Sequence, residues 1–107
     1  MENNKNNVTP EEIKKQLYSV IASLNTAEEV ESFFEDLCTC KEVDYMAQRV
    51  EAARLMLDGA TYQQTISQVG ISSATLSRVN RCILYGNGGY NKILANYLNE
   101  QKLKGNQ

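Results

Sequence analysis

Residues Thr61 to Ile83, TYQQTISQVGISSATLSRVNRCI, constrain the fold of this chain more than any other stretch. A short amphipathic run stops at Gly70, and after Ser72 a second one begins. A backbone that leaves one helix and enters another at a steep angle needs a residue with positive φ, which glycine adopts without steric cost. Ser72 then offers a side-chain oxygen to the first free amides of the second helix. The pattern predicts a helix-turn-helix, its first helix capped by Thr61 and covering about Tyr62 to Val69, its second Ser73 to Leu84. In the second helix Leu76, Val79 and Ile83 fall at i, i+3 and i+7 and form one buried stripe, which turns Ser73, Ala74, Ser77, Arg78 and Arg81 outward. Small and polar residues with arginines one turn on make a surface that fits the major groove of double-stranded DNA.

The charge distribution agrees with that reading better than the net charge of −2 does. Residues 1 to 60 carry six Lys or Arg against twelve Asp or Glu, whereas residues 61 to 107 carry five against one. Positive charge therefore sits with the helix-turn-helix, where phosphates would be met, and the acidic half limits indiscriminate binding.

At 107 residues the chain is long enough for one domain with its own core, yet small enough for a partner subunit to complete it. Met1 to Val8, polar and Asn-rich, reads as a disordered arm, succeeded by a helical domain over 9 to 101 and a polar tail over 102 to 107. Thr9-Pro10-Glu11-Glu12 is a helix start: a capping hydroxyl, proline at the first helical position, and acids at the positive end of the dipole. Ile13, Leu17, Val20, Ile21 and Leu24 give that helix a continuous apolar face. Thr26 with Glu29 has capping-box spacing for a second helix, whose inner side is Val30, Phe33, Phe34 and Leu37. Thr39 with Glu42 repeats the spacing and opens the longest helix, with Val43, Met46, Ala47, Val50, Ala53, Arg54 and Leu57 on the helical period up to Gly59. After the helix-turn-helix, Gly86-Asn87-Gly88-Gly89 spends too much backbone entropy for a helix and reads as a loop or hinge. A helical stripe returns from Tyr90 through Ile93, Leu94, Tyr97 and Leu98. The expectation is an all-α fold of six helices and no sheet.

Enzymatic chemistry finds little to work with. There is no histidine, so neither a Ser-His-Asp nor a Cys-His pair can be built. The glycine run after Tyr85 lacks the Lys-Ser or Lys-Thr ending of a phosphate-binding loop. The acids Glu28, Glu29, Glu31, Glu35 and Asp36 lie on the outward side of the second helix, where carboxylates are solvated. Cys38, Cys40 and Cys82 are an odd set without metal-ligand spacing, so no metal site and no disulfide framework is expected. No run approaches the roughly 20 apolar residues of a membrane span and the N-terminus lacks a secretory apolar run, which points to a cytoplasmic protein without a membrane partner.

Ala47-Gln48-Arg49 on the long helix, SATLSRVNRC at Ser73 to Cys82 behind Ser72, and YGNGGYNKIL from Tyr85 together resemble the Trp repressor superfamily, in particular its YerC/YecD type. The resemblance spans roughly Leu17 to Leu94. It implies an intertwined homodimer that binds DNA and regulates transcription, most simply as a repressor. It also implies that Thr39, Arg49 and Arg78 occupy the places of the threonine and two arginines that hold the tryptophan corepressor in Trp repressor. Each has an ordinary reading too: Thr39 as a helix cap, Arg49 as an ion-pair partner, Arg78 as a phosphate contact.

Two positions depart from the family pattern. Trp repressor has glycine after its recognition-helix arginine, beside the indole slot, and here Val79 comes after Arg78, so a branched side chain is expected to crowd the slot. Tryptophan is then not the expected corepressor, although two guanidinium forks still suit a small anionic effector. In the first helix of the motif the residue four before Gly70, where a small one is usual, is Ile66, with Ser67 next to it. Either the helices cross slightly wider, or the small residue has moved and the turn is shorter.

Two functions remain. In the first, a homodimer inserts residues Ser73 to Arg81 into the major groove behind Ser72, Arg78 and Arg81 meeting phosphate or guanine edges while Thr61, Gln63 and Gln64 help at the backbone. In the second, the same fold is a protein-binding adaptor that has lost DNA affinity and uses its acidic half. No cofactor is required by either.

Overall fold

A computed structural model describes residues 7–105, and the regular structure among them is all helical. The arm expected over residues 1 to 8 lies outside the described residues up to residue 6; Asn7 and Val8 are exposed and irregular. The six α-helices are, in order, α1 Pro10–Ala22, α2 Ala27–Leu37, α3 Cys40–Leu57, α4 Tyr62–Val69, α5 Ser73–Tyr85 and α6 Ala95–Gly105. A π-helical segment, Gly89–Leu94, runs straight into α6. The chain divides into two compact units between Thr39 and Cys40.

The first unit holds α1 and α2. Thr9 Oγ1 accepts from the Glu12 amide at 3.2 Å while a Glu12 carboxylate oxygen accepts from the Thr9 amide at 2.9 Å, with Pro10 as the first helical residue. The second helix start is only half as expected. Thr26 Oγ1 accepts from the Glu29 amide at 3.1 Å, but the Glu29 carboxylate reaches one residue further back, to the Asn25 amide at 2.8 Å. Phe33 and Phe34 meet edge to face at 6.3 Å between ring centroids. No residue of α1 or α2 is fully buried, and Ile13 and Leu37 remain 54% and 49% exposed. Both helices thus carry apolar faces that the single chain leaves largely uncovered.

In the second unit α3 is the spine, 18 residues and about 27 Å long at the α-helical rise. Helices α4, α5 and α6 and the π-helical segment all pack on it. Ala52 and Ala53 are fully buried, and Ala52 forms one cluster with Ile71 and Leu76, against which Met56, Ile66 and Val69 pack. Two alanines at the crossing let neighbouring helices approach the α3 backbone closely. The inner stripe anticipated along α3 needs correction: Ala53 belongs to it, but Ala47 and Val50 are exposed and Ala52 takes the central place. Alanine contributes little to an apolar period, so the sequence pattern is set by the larger side chains beside it. The last helix also continues to Gly105, through the first residues of the expected polar tail.

Candidate nucleic-acid interface

The helix-turn-helix forms within one residue of its expected bounds. A reciprocal box starts α4: Thr61 Oγ1 accepts from the Gln64 amide at 3.1 Å and Gln64 Oε1 accepts from the Thr61 amide at 2.9 Å. Gly70 ends α4 in the left-handed region, φ +78°, and its amide donates to the Ile66 carbonyl at 2.9 Å. Ser72 caps α5 by accepting from the Thr75 amide at 3.2 Å, and its hydroxyl donates to Thr75 Oγ1 at 2.9 Å. The turn between, with Ile71 buried at its centre, is therefore fixed at both ends.

The small residue that closes α4 onto its neighbours is Thr65, which the sequence pattern does not single out. It is fully buried, and its hydroxyl donates to the Thr61 carbonyl at 2.9 Å, so no polar group is left unpaired. Ile66 is half-buried beside it and Ser67 is exposed. The small residue has therefore not moved to Ser67 with a shorter turn; the buried small residue is Thr65, one position before Ile66. A buried threonine on a polar helix start gives no apolar signal, which is why periodicity overlooks it.

All nine residues expected at the nucleic acid, Thr61, Gln63, Gln64, Ser72, Ser73, Ala74, Ser77, Arg78 and Arg81, are exposed. Their side chains are not equally available. Those of Thr61, Gln64 and Ser72 are engaged in capping, so their part is to set the helix ends. Leu76 and Val79 are fully buried, which turns Ser73, Ala74, Ser77, Arg78 and Arg81 to the opposite side of α5 as one surface. Among the described residues neither Arg78 nor Arg81 has a carboxylate partner. The contrast is Arg54 on α3, which holds Glu51 through two bonds of 2.8 and 2.6 Å; that hydrogen bonding draws the Glu51 carboxyl below its usual range and lifts the Arg54 guanidinium above its own. Lys102 is likewise taken by Asp58 at 3.2 Å. Among the described residues, Arg78 and Arg81 on α5 and Arg49 on α3 are the guanidinia without a carboxylate partner.

Beside this surface lies an open cleft of about 590 Å³. Tyr45, Gln48 and Arg49 of α3 form one wall, Gly70, Ile71 and Ser72 of the turn the end, and Thr75 and Arg78 of α5 the other wall. Two of the three residues anticipated for an effector, Arg49 and Arg78, thus meet across it. Arg49 is half-buried, its Nε donating to the Tyr45 carbonyl at 3.4 Å. Thr39 stands immediately ahead of α3 on the first unit, outside the unit that holds the cleft. Val79, expected to crowd this slot, is buried at 1% exposure and is not among the residues that line it. Tyr45 and Gln48 were not anticipated there; the available signal was the spacing of Tyr45, four before Arg49 and three before Gln48 on one helix.

The family model for Trp repressor protein matches residues 11–98, which include every element from α1 to the start of α6 and both walls of the cleft. The chain belongs to the Trp repressor family. It is 47% identical over 79 residues to the uncharacterized protein YerC of Bacillus subtilis strain 168, covering 74% of this chain and 76% of that one. Its structure is similar to that of a TrpR-like protein from Eubacterium eligens, with a TM-score of 0.77 and 38% identity over 89% of this chain and 95% of the other. A candidate Trp repressor from Staphylococcus aureus is equally close in structure, TM-score 0.77, at 34% identity over 91% and 94%. Membership supports a regulator of the DNA-binding kind. No helix among the described residues is long and apolar enough to cross a membrane.

Proposed function

We propose that this chain is a cytoplasmic, homodimeric, sequence-specific DNA-binding transcription repressor that reads double-stranded DNA with α5. The observation that carries the reading is the exposed face of α5, on which Arg78 and Arg81 have no carboxylate partner among the described residues while Leu76 and Val79 lock the opposite face into the core. Small residues at the start of that face, Ser73 and Ala74, let the helix seat deeply, and Ser77 and the arginines offer donors to base edges and phosphates. Dimerisation is supported by the uncovered apolar faces of α1 and α2, where each large side chain brought out of water contributes about 1.5–3 kcal/mol. A two-fold dimer would set two α5 helices about one DNA turn apart, ~34 Å, on a palindromic site.

The cleft between α3 and α5 suits a small anionic effector held by the Arg49 and Arg78 guanidinia. An effector there would bias the angle of α5 and hence DNA affinity, provided it binds the DNA-competent state better. Tryptophan is not that effector on this reading, and the reason now lies in the walls. With Val79 buried elsewhere and Ser72 and Thr75 bonded to each other, the obstacle is Gln48, whose half-buried amide N–H groups an indole, having no acceptor, would cover without satisfying.

Binding to duplex DNA measured by fluorescence anisotropy at 50 and 200 mM salt tests the function. Affinity should fall steeply with salt, with a slope near −0.9 per phosphate neutralised. Absence of binding at low salt would leave the protein-binding adaptor instead. Light scattering at micromolar concentration should report twice the 12.0 kDa chain mass; a fully helical monomer would refute dimerisation.

A further inference from the structure

We propose that Asn91 is a positioning residue for DNA recognition: its side-chain amide ties the last turn of the recognition helix to the π-helical segment, and so sets where the C-terminal half of α5 meets DNA. The inference rests on the DNA-binding reading above. Its basis lies in the segment YGNGGYNKIL, from which Asn91 reaches back to α5.

Helix α5 is held unevenly along its length. Its first half is anchored by Leu76 and Val79, both fully buried. Its second half is not: Cys82 and Ile83 are half-buried, and Leu84 and Tyr85 are exposed. Arg81 belongs to this less-packed half. At the helix end the Gly86 amide donates to the Cys82 carbonyl at 2.9 Å, after which the backbone turns extended. The Ile83 carbonyl therefore has no helical amide four residues on to serve it.

Asn91 serves it instead. Its Nδ2 donates to the Ile83 carbonyl oxygen at 2.9 Å across eight residues. A carbonyl only accepts, so the amide nitrogen must face it. Among the described residues this is the one side-chain hydrogen bond between α5 and the elements C-terminal to it. The geometry that brings Asn91 there is unusual. Gly88 is buried at φ +94°, and its carbonyl accepts from both the Lys92 and the Ile93 amides at 3.0 Å, the second being the wider π-helical bond. A Cβ at Gly88 would press on the Lys92 stem. The π-helical segment also packs on both α3 and α5 before running into α6. Asn91 thus projects from a segment seated on the spine helix, and its bond transfers that seating to the end of α5.

The consequence for binding is selective. Loss of the bond frays the last turn and lets Arg81 wander, which weakens contacts that demand exact placement. It removes no charge, so the phosphate attraction that gives non-specific binding stays. The test compares Asn91→Leu, similar in size without a donor, and Asn91→Gln, which keeps the donor on a longer arm. Probes are a duplex selected in vitro by the unaltered protein and a scrambled duplex of equal composition. In free protein, hydrogen exchange over residues 82–86 should rise about tenfold in Asn91→Leu, with Tm within about 3 °C. Affinity for the selected duplex should fall roughly five- to tenfold, with that for the scrambled duplex and the salt slope unchanged. Asn91→Gln should recover part of both losses. Unchanged exchange overturns the tether. Equal loss on both duplexes with a fallen Tm overturns positioning in favour of a purely structural bond. If the unaltered protein selects no duplex, the DNA-binding reading fails and positioning with it, whereas the exchange result is read independently.

Discussion

Alanine at Gly70 and at Gly86 separates two reasons for which a chain can require glycine. Gly70 ends α4 at φ +78°, and a Cβ there would meet nothing within 4 Å. Only backbone strain opposes a side chain, about 1–2 kcal/mol for a left-handed residue, and the stiffer unfolded chain returns about 0.4–1 kcal/mol. The net cost of Gly70→Ala is therefore roughly 0.5–1.5 kcal/mol, and Gly70→Asn should cost less because asparagine tolerates the left-handed region. Gly86 is the opposite case. Its φ of −84° is open to any residue, but its Cβ would fall inside contact distance of the Cys82 carbonyl oxygen, the atom that accepts the Gly86 amide. Backbone cannot swing aside as a side-chain tip can, so the last turn of α5 must open, at a cost of about 2 kcal/mol or more. Urea unfolding monitored by circular dichroism at one fixed protein concentration gives both values. A Gly70→Ala loss above about 3 kcal/mol, or Gly86→Ala costing less than Gly70→Ala, would refute the division between strain and space.

The remaining expectations concern packing and binding. Leu76→Ala, at the fully buried junction of α3, α5 and the turn, should destabilise by about 3–5 kcal/mol in urea titration, since the site is ringed by helices that cannot collapse into it. Arg78→Ala and Arg81→Ala should each lower affinity for a selected duplex by roughly 1–3 kcal/mol, and whichever contacts phosphate should also flatten the salt slope by about one unit; a folded mutant with neither change returns that arginine to the solvated surface. Calorimetry with tryptophan should show no binding that alters DNA affinity, and a several-fold gain in DNA affinity with tryptophan present would show that the cleft accepts an indole.

How much is legible in the sequence depends on whether local chemistry or packing decides the matter. The helix-turn-helix is readable to within a residue because each boundary is set by its own side chains: the Thr61 and Gln64 box, the left-handed Gly70, the Ser72 cap. The outward face of α5 is readable too, because Leu76 and Val79 are large enough to mark the inward side. The resemblance carried by the segments around Arg49 and Arg78 finds two walls of one cleft that no periodicity in the sequence places together.

Tertiary structure alone decides the rest. Ala52, clustered with Ile71 and Leu76, and Thr65, its hydroxyl bonded within α4, are fully buried because helices pack over them, which neither residue advertises. Val79 is expected in the effector slot from its place beside Arg78, but neighbours on a helix point about 100° apart, and packing sends one into the core and leaves the other to solvent. The bond from Asn91 to Ile83 depends on a π-helical turn, one residue wider than the α-helix, whose register only the seating against α3 and α5 can select. Sequence determines the ends of the helices that carry their own caps, because capping arises from interactions within four residues. Which side chains fill the space between helices, and which are left to meet DNA or a ligand, is settled by packing alone, because it depends on groups distant in the chain.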